Sequence, residues 1–221
     1  MFDKCGRAVN RTTGDGFKPS VSRIANSLPI FPDDISGSKD SPTNGFVFDA
    51  YIFIFHGFQM QKIKPKSGQE SVWDYPRPPR LELCSKHVRV VVDGADIANS
   101  SQAYRILETS HPPVYYIPPQ DIKIENLIAV AGSSYCEWKG EANYYDLRLG
   151  ERRIEKAAWS YLKPTRHFEC IAGHVAFYPC KVDQCYVGDE LVQPQEGNFY
   201  GGWITSNIVG PFKGSPGTLG W

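Results

Sequence analysis

From residue 86 onward the chain is a series of short runs of β-branched and aromatic residues, each interrupted by Gly, Pro or Asp. No amphipathic stretch as long as about 12 residues repeats at the helical period of 3.6. A chain so divided has one economical way to bury apolar surface, which is to pair the short runs edge to edge as antiparallel strands. KHVRVVV (86–92) is followed by the turn dipeptide Asp93-Gly94 and by ADIANS, which predicts a hairpin. AYRILET (103–109) and VYYIP (114–118) are separated by the stiff corner His111-Pro112-Pro113. Pro118-Pro119-Gln120-Asp121 opens a single helical turn, since proline is tolerated at a helix start. SYCEWKG (134–140), ANYYDLRLG (142–150), KAAWSYL (156–162), HVAFYPCKV (174–182) and QCYVGDELV (184–192) continue the pattern. The expected fold is mainly β: one compact antiparallel two-sheet domain of about eight to ten strands, tent-like or barrel-like, with few short helices.

The first 59 residues do not share this pattern. Residues 1–45 are rich in Ser, Thr, Asn, Asp, Gly and Pro without a sustained period, which predicts a low-order extension. The run Phe46–Phe58 (FVFDAYIFIFHGF) contains Asp49 and is too short to span a bilayer, so no membrane contact is expected. No Glu precedes Glu70, and Met60 is the one methionine after Met1. This break divides the chain into an extension, 1–59, and a β domain, 60–221. It reads either as an alternative start at Met60 or as an extension whose aromatic run docks on the domain.

Charge narrows the partners. Lys and Arg number 24 against 24 Asp and Glu. Phosphate neutralisation cannot dominate binding in a balanced chain, so nucleic acid is not an expected partner. The start, MFDKCGRAVN, has no apolar core of a secretory signal, and a cytoplasmic location with free thiols is expected. The six cysteines lack the paired short spacings of a zinc site, and no metal or other cofactor is expected.

Three clusters carry chemistry. In Glu108-Thr-Ser-His111-Pro-Pro a carboxylate and an imidazole sit three residues apart on a rigid corner, which is what acid/base work requires. The alternative is that both merely satisfy turn amides. In Tyr135-Cys136-Glu137-Trp138-Lys139-Gly140, strand alternation would put Cys136 and Trp138 on one face, lining an apolar pocket, and Glu137 and Lys139 on the other. The alternative is a core Cys and Trp beside solvated charges. The tail, with Tyr200-Gly-Gly-Trp203 and Gly210-Pro-Phe-Lys213-Gly-Ser, has its lysine before the glycine and so fails the phosphate-loop order. It reads as a packed coil capping the sheet, with Lys213 as an anion contact. Together these place Glu108, His111, Cys136 and Trp138 around one cavity.

The phrases ESVWDYPRPPRLE, ETSHPPVYYIP, GSSYCEWKG, YYD, AAW, VAFY and FYGGWIT…VGPFKGSPGT, in that order, resemble domain-of-unknown-function family 427, which also carries a nucleotidyltransferase label. The resemblance covers roughly residues 70–221. It implies a compact β domain around a pocket, and its motifs carry over to Glu108, Ser110, His111, Tyr115, Cys136, Trp138, Lys139, Asp146, Trp159, Tyr200 and Trp203. One departure, at Tyr161-Leu162-Lys163-Pro164, concerns a loop. The transferase label fits poorly: two-metal transfer needs paired carboxylates, whereas Gly132-Ser133 is followed by Asp146 with Arg148 at the next acidic position. The expected function is a small-molecule pocket, either an enzyme using Glu108 and His111 as acid and base or a non-catalytic binding module. Tyr115, Cys136, Trp138, Lys139, Tyr200 and Trp203 are the expected binding residues, and nucleotidyl transfer is the third reading.

Overall fold

The Asp93-Gly94 hairpin shows how local chemistry sets the architecture. Asp93 (φ 51°) and Gly94 (φ 71°) both adopt positive φ, the geometry of the two-residue turns that match strand twist. They join Val88–Val92 to Ala95–Ser100. The computed structural model describes residues 61–221 except Asn198, Ser215 and Leu219. The expected extension 1–59, including Phe46–Phe58, lies outside the described residues.

In chain order the strands are β1 (Glu70–Ser71), β2 (Arg80–Leu83), β3 (Val88–Val92), β4 (Ala95–Ser100) and β5 (Tyr104–Leu107). Then come β6 (Val114–Tyr116), β7 (Leu127–Cys136), β8 (Gly140–Leu149), β9 (Arg152–Ser160) and β10 (Val175–Phe177). The last five are short: β11 (Gln184–Val187), β12 (Glu190–Leu191), β13 (Gln193–Pro194), β14 (Trp203–Ile204) and β15 (Ile208–Val209). The protein is mainly β, as its punctuated sequence requires. The pairs within the larger sheets are antiparallel, in the orders β2-β5-β6, β12-β11-β3-β4 and β10-β9-β8-β7. Among the described residues the sheets do not close into a barrel, and there are three larger sheets where two were expected. An antiparallel bridge between Ile117 and Val175 links the chain just beyond β6 to β10, so the first and third sheets meet there. The tail is more ordered than a capping coil, because β14 pairs with β13 and β15 pairs in parallel with β1. The helical turn expected at Pro118 forms as Pro119–Asp121.

Period-2 alternation assigns the two faces of β6. Tyr115 points into the main core with Val88, Val90, Ile97, Val175, Phe177 and Trp203. Val114 and Tyr116 point the other way, into a cavity. The same wall therefore has a dry side and a hollow side. Of the cysteines, Cys84, Cys136, Cys180 and Cys185 are free thiols, whereas Cys170 is disulfide-bonded, which corrects the expectation for that position. Among the described residues no helix is long and apolar enough to cross a membrane.

Candidate functional site

The cavity has a volume of about 500 Å³. Alternate residues of successive strands build its wall: Val114 and Tyr116 from β6, Ser134 and Cys136 from β7, Ala142 and Tyr144 from β8. Trp159 at the end of β9 and Tyr161 just beyond it follow the same alternation. These rings pack in sequence, with Tyr116 and Trp159 centroids 6.2 Å apart and Trp159 and Tyr178 4.4 Å apart. The Trp159 indole N–H donates to the Tyr116 hydroxyl at 3.3 Å. Burial raises the Tyr116, Tyr161 and Tyr178 phenols far above their usual range, so all three are neutral.

The tail closes one side. A Cβ on Gly201 would lie 2.3 Å from Trp159 Cη2, and one on Gly202 would lie 2.3 Å from Gln195 Oε1 and 3.0 Å from Pro112. Two adjacent glycines let the backbone lie flat against an indole and a proline. Gln195 fixes them, accepting from the Gly202 amide at 3.0 Å and donating to the Lys213 carbonyl at 2.5 Å.

The Glu108–His111 corner lies at the cavity edge, braced from two sides. Ser110, fully buried with φ 70°, donates its amide to the Val72 carbonyl at 3.0 Å and accepts from the Lys213 amide at 2.9 Å. The His111 amide donates to the Glu108 carbonyl at 3.0 Å, closing the turn. The imidazole is 9% exposed and contacts the Tyr200 ring edge-on at 4.7 Å. Its Nδ1 lies 3.0 Å from the Thr109 carbonyl, and because a carbonyl only accepts, Nδ1 carries the proton. Nε2 makes no hydrogen bond within the described residues. Burial pushes the His111 pKa below its ordinary value; the Thr109 carbonyl and Glu108 oppose this, and Lys213 and Arg77 reinforce it. The ring is therefore neutral near pH 7, with an Nε2 lone pair available as a base.

Glu108 does not act on His111 through a hydrogen bond. Its carboxylate sits 3.5 Å from Arg77 Nε, and the same guanidinium donates to the Thr109 carbonyl at 3.1 Å and the Ser110 hydroxyl at 3.4 Å. Arg77 reaches the corner from about 30 residues upstream, and no sequence pattern announces it.

The second cluster departs from its expected geometry. β7 ends at Cys136, and Glu137-Trp138-Lys139 is the tight turn into β8, so strand alternation does not apply to it. A Gly at φ 95°, Gly140, restarts the ladder. As a result Lys139, expected to point away from the cavity, is buried at 8% exposure and lines it, as do Cys136 and Trp138. The turn is pinned by Thr165, whose hydroxyl donates to the Trp138 carbonyl at 2.6 Å and whose amide donates to the Lys139 carbonyl at 3.1 Å. Glu108, His111, Cys136, Trp138, Lys139 and Tyr200 thus line the same cavity.

Two expected binding residues lie elsewhere. Tyr115 and Trp203 pack against each other in the core, with centroids 5.0 Å apart. The cause is the alternation of β6, which turns Tyr115 away from the side that Tyr116 faces. The Trp203 indole donates to the Phe177 carbonyl at 3.1 Å, a satisfied core contact. Tyr116, Tyr144, Tyr161, Tyr178 and Arg77 line the cavity without having been singled out from sequence. The spacing of Trp159 and Tyr161 was the available signal for one of them. Asp146 is not a cavity residue. It is 2% exposed, at the register shift between β8 and β9, and accepts from Arg153 Nε and the Lys156 amide, both at 2.7 Å. Burial raises its pKa, but the Lys156 amide and Arg153 outweigh it and hold the carboxyl below the usual range.

No curated protein matches this chain. The model of one family, described as Domain of unknown function (DUF427), matches residues 80–188. That segment, which contains the corner, the β7–β8 turn and most of the aromatic wall, is similar to the DUF427 family.

Proposed function

We propose that residues 60–221 form a small-molecule-binding domain, and that His111 acts within its cavity as a base toward an organic ligand. The reading rests chiefly on one observation: a neutral, braced imidazole at the edge of an aromatic cavity, with Nδ1 held by a carbonyl and Nε2 unbonded among the described residues. Base catalysis needs that arrangement, because the proton acceptor has to be in the correct tautomer and unable to rotate away. The rings of Tyr116, Trp159 and Tyr161 offer flat apolar surface of the kind that small-molecule sites use.

A non-catalytic binding module is the second reading, and a specific feature favours it. Glu108, the expected acid partner, is engaged by Arg77 and has no hydrogen bond to His111. The transferase reading gains no support from Asp146, whose two carboxylate oxygens are taken by Arg153 and Lys156 outside the cavity.

A thermal-shift screen of metabolites on the full chain, followed by product analysis, tests the first reading. The expected result is a compound that raises the melting temperature and is converted by the wild type, while His111→Gln still binds it but does not convert it. Binding without conversion by the wild type would establish the module instead. Conversion by His111→Gln at the wild-type rate would remove His111 from the mechanism.

A further inference from the structure

Among the described residues three cations line the cavity, and two already have oxygen partners. Arg77 pairs with Glu108 and bonds the Thr109 carbonyl. Lys213 Nζ donates to the Trp221 carbonyl at 2.7 Å. Lys139 differs. The residue as a whole is 8% exposed, yet its Nζ is not a fully buried atom and has no hydrogen-bond or ion-pair partner among the described residues. It lies 6.0 Å from the Tyr161 ring centroid and 5.9 Å from that of Phe168. Cation–π contact supplies no acceptor for its three N–H groups, which are left to solvent or to a ligand in the cavity. An ammonium held this way, on a turn pinned by Thr165, favours an anion brought into the cavity.

The geometry points to Lys139 as the anion-recognition group of the cavity, and to a small aromatic carboxylate as the class of ligand it takes. This rests on the small-molecule reading above and adds the identity of the recognised group. The carboxylate completes the coordination of Nζ, and the ligand ring packs on the tyrosine and tryptophan wall. A carboxylate rather than a larger polyanion matches a single unpartnered cation among the described residues lining a cavity of about 500 Å³.

The test uses the full chain and two probes of one shape, 2-naphthoate and its neutral amide 2-naphthamide, titrated calorimetrically at about pH 7.5, where a carboxylic acid is ionised. In the wild type the carboxylate is expected to bind about tenfold or more tighter than the amide. Lys139→Met should abolish this preference, and Lys139→Arg should restore part of it. Equal affinity for the two probes in the wild type would overturn the anion subsite while leaving the small-molecule reading intact. A preference that survives in folded Lys139→Met would also overturn it, by assigning the anion to another cation. Binding of neither probe would count against both readings. Should Lys139→Met fail to fold, wild-type acetylation by acetic anhydride, mapped by mass spectrometry, replaces it. Naphthoate, but not naphthamide, should slow acetylation at Lys139; equal protection by both overturns the proposal.

Discussion

Tyr115 and Tyr116 are neighbours in sequence and occupy opposite environments. Tyr115 packs against Trp203 in a core whose polar atoms are satisfied, since the Trp203 indole reaches the Phe177 carbonyl and its amide reaches the Pro113 carbonyl at 2.8 Å. Tyr116 borders a hollow lined also by Trp159, Tyr161 and Tyr178. Both sides of β6 are rich in rings, so aromatic content does not separate scaffold from site. Closure does: on one side neighbouring strands fill the space, and on the other a turn, a proline corner and a glycine tail surround it without filling it.

The sharpest way to break this comparison is to truncate one ring on each side. Trp203→Ala should cost about 3–5 kcal/mol in chemical denaturation, because a fully buried indole leaves a cavity and an unpaired carbonyl. Trp138→Ala, at the half-buried rim, should cost no more than about 1 kcal/mol. Equal losses would mean that the hollow side is as much a part of the stabilising core as the filled one.

Next in size is the anchor that holds the strands behind the wall. Asp146→Asn should cost about 1.5–3 kcal/mol, because the amide oxygen can accept only one of the two bonds and the NH2 group then faces the other donor. A loss well below 1 kcal/mol would show that the β8–β9 register does not depend on it.

Gly201→Ala tests how tightly the tail is fitted to the cavity wall. The new Cβ meets the Trp159 ring at 2.3 Å, and overpacking of this kind costs about 1–3 kcal/mol. The variant should also change the tryptophan fluorescence spectrum and weaken any ligand that packs on Trp159. A neutral substitution would mean that the tail moves independently of the wall.

The smallest effect is the pH response of the corner. The His111 pKa is lowered on folding, so the unfolded chain binds a proton that the native imidazole refuses. Stability should therefore fall as pH drops through about 6.5, the unfolded value, and this loss should level off below the native pKa. His111→Gln should flatten that part of the melting-temperature profile. The contribution of Asp146 has the opposite origin: it is present above the ordinary carboxyl value of 3.8 and is lost as pH falls through the lowered native one. A pH profile of His111→Gln identical to that of the wild type between about pH 7.5 and 5.5 would place the imidazole in contact with solvent.

Much of this protein follows from sequence by itself. Short apolar runs between turn residues dictate antiparallel strands, Asp93-Gly94 dictates a hairpin, and Ser110-His111-Pro112-Pro113 dictates a rigid corner, because each depends on backbone sterics within a few residues. Tertiary structure alone decided the rest. Alternation says that Tyr115 and Tyr116 face opposite ways but not which way is filled, and that depends on strands far along the chain. Ending β7 at Cys136 rather than Gly140 turned Lys139 inward, and the hydrogen bonds from Thr165, well over twenty residues later, hold it there. Arg77 meets Glu108, and Gly201 meets Trp159, only once the chain has closed on itself. These contacts form between distant segments, where no local preference of the backbone can encode them.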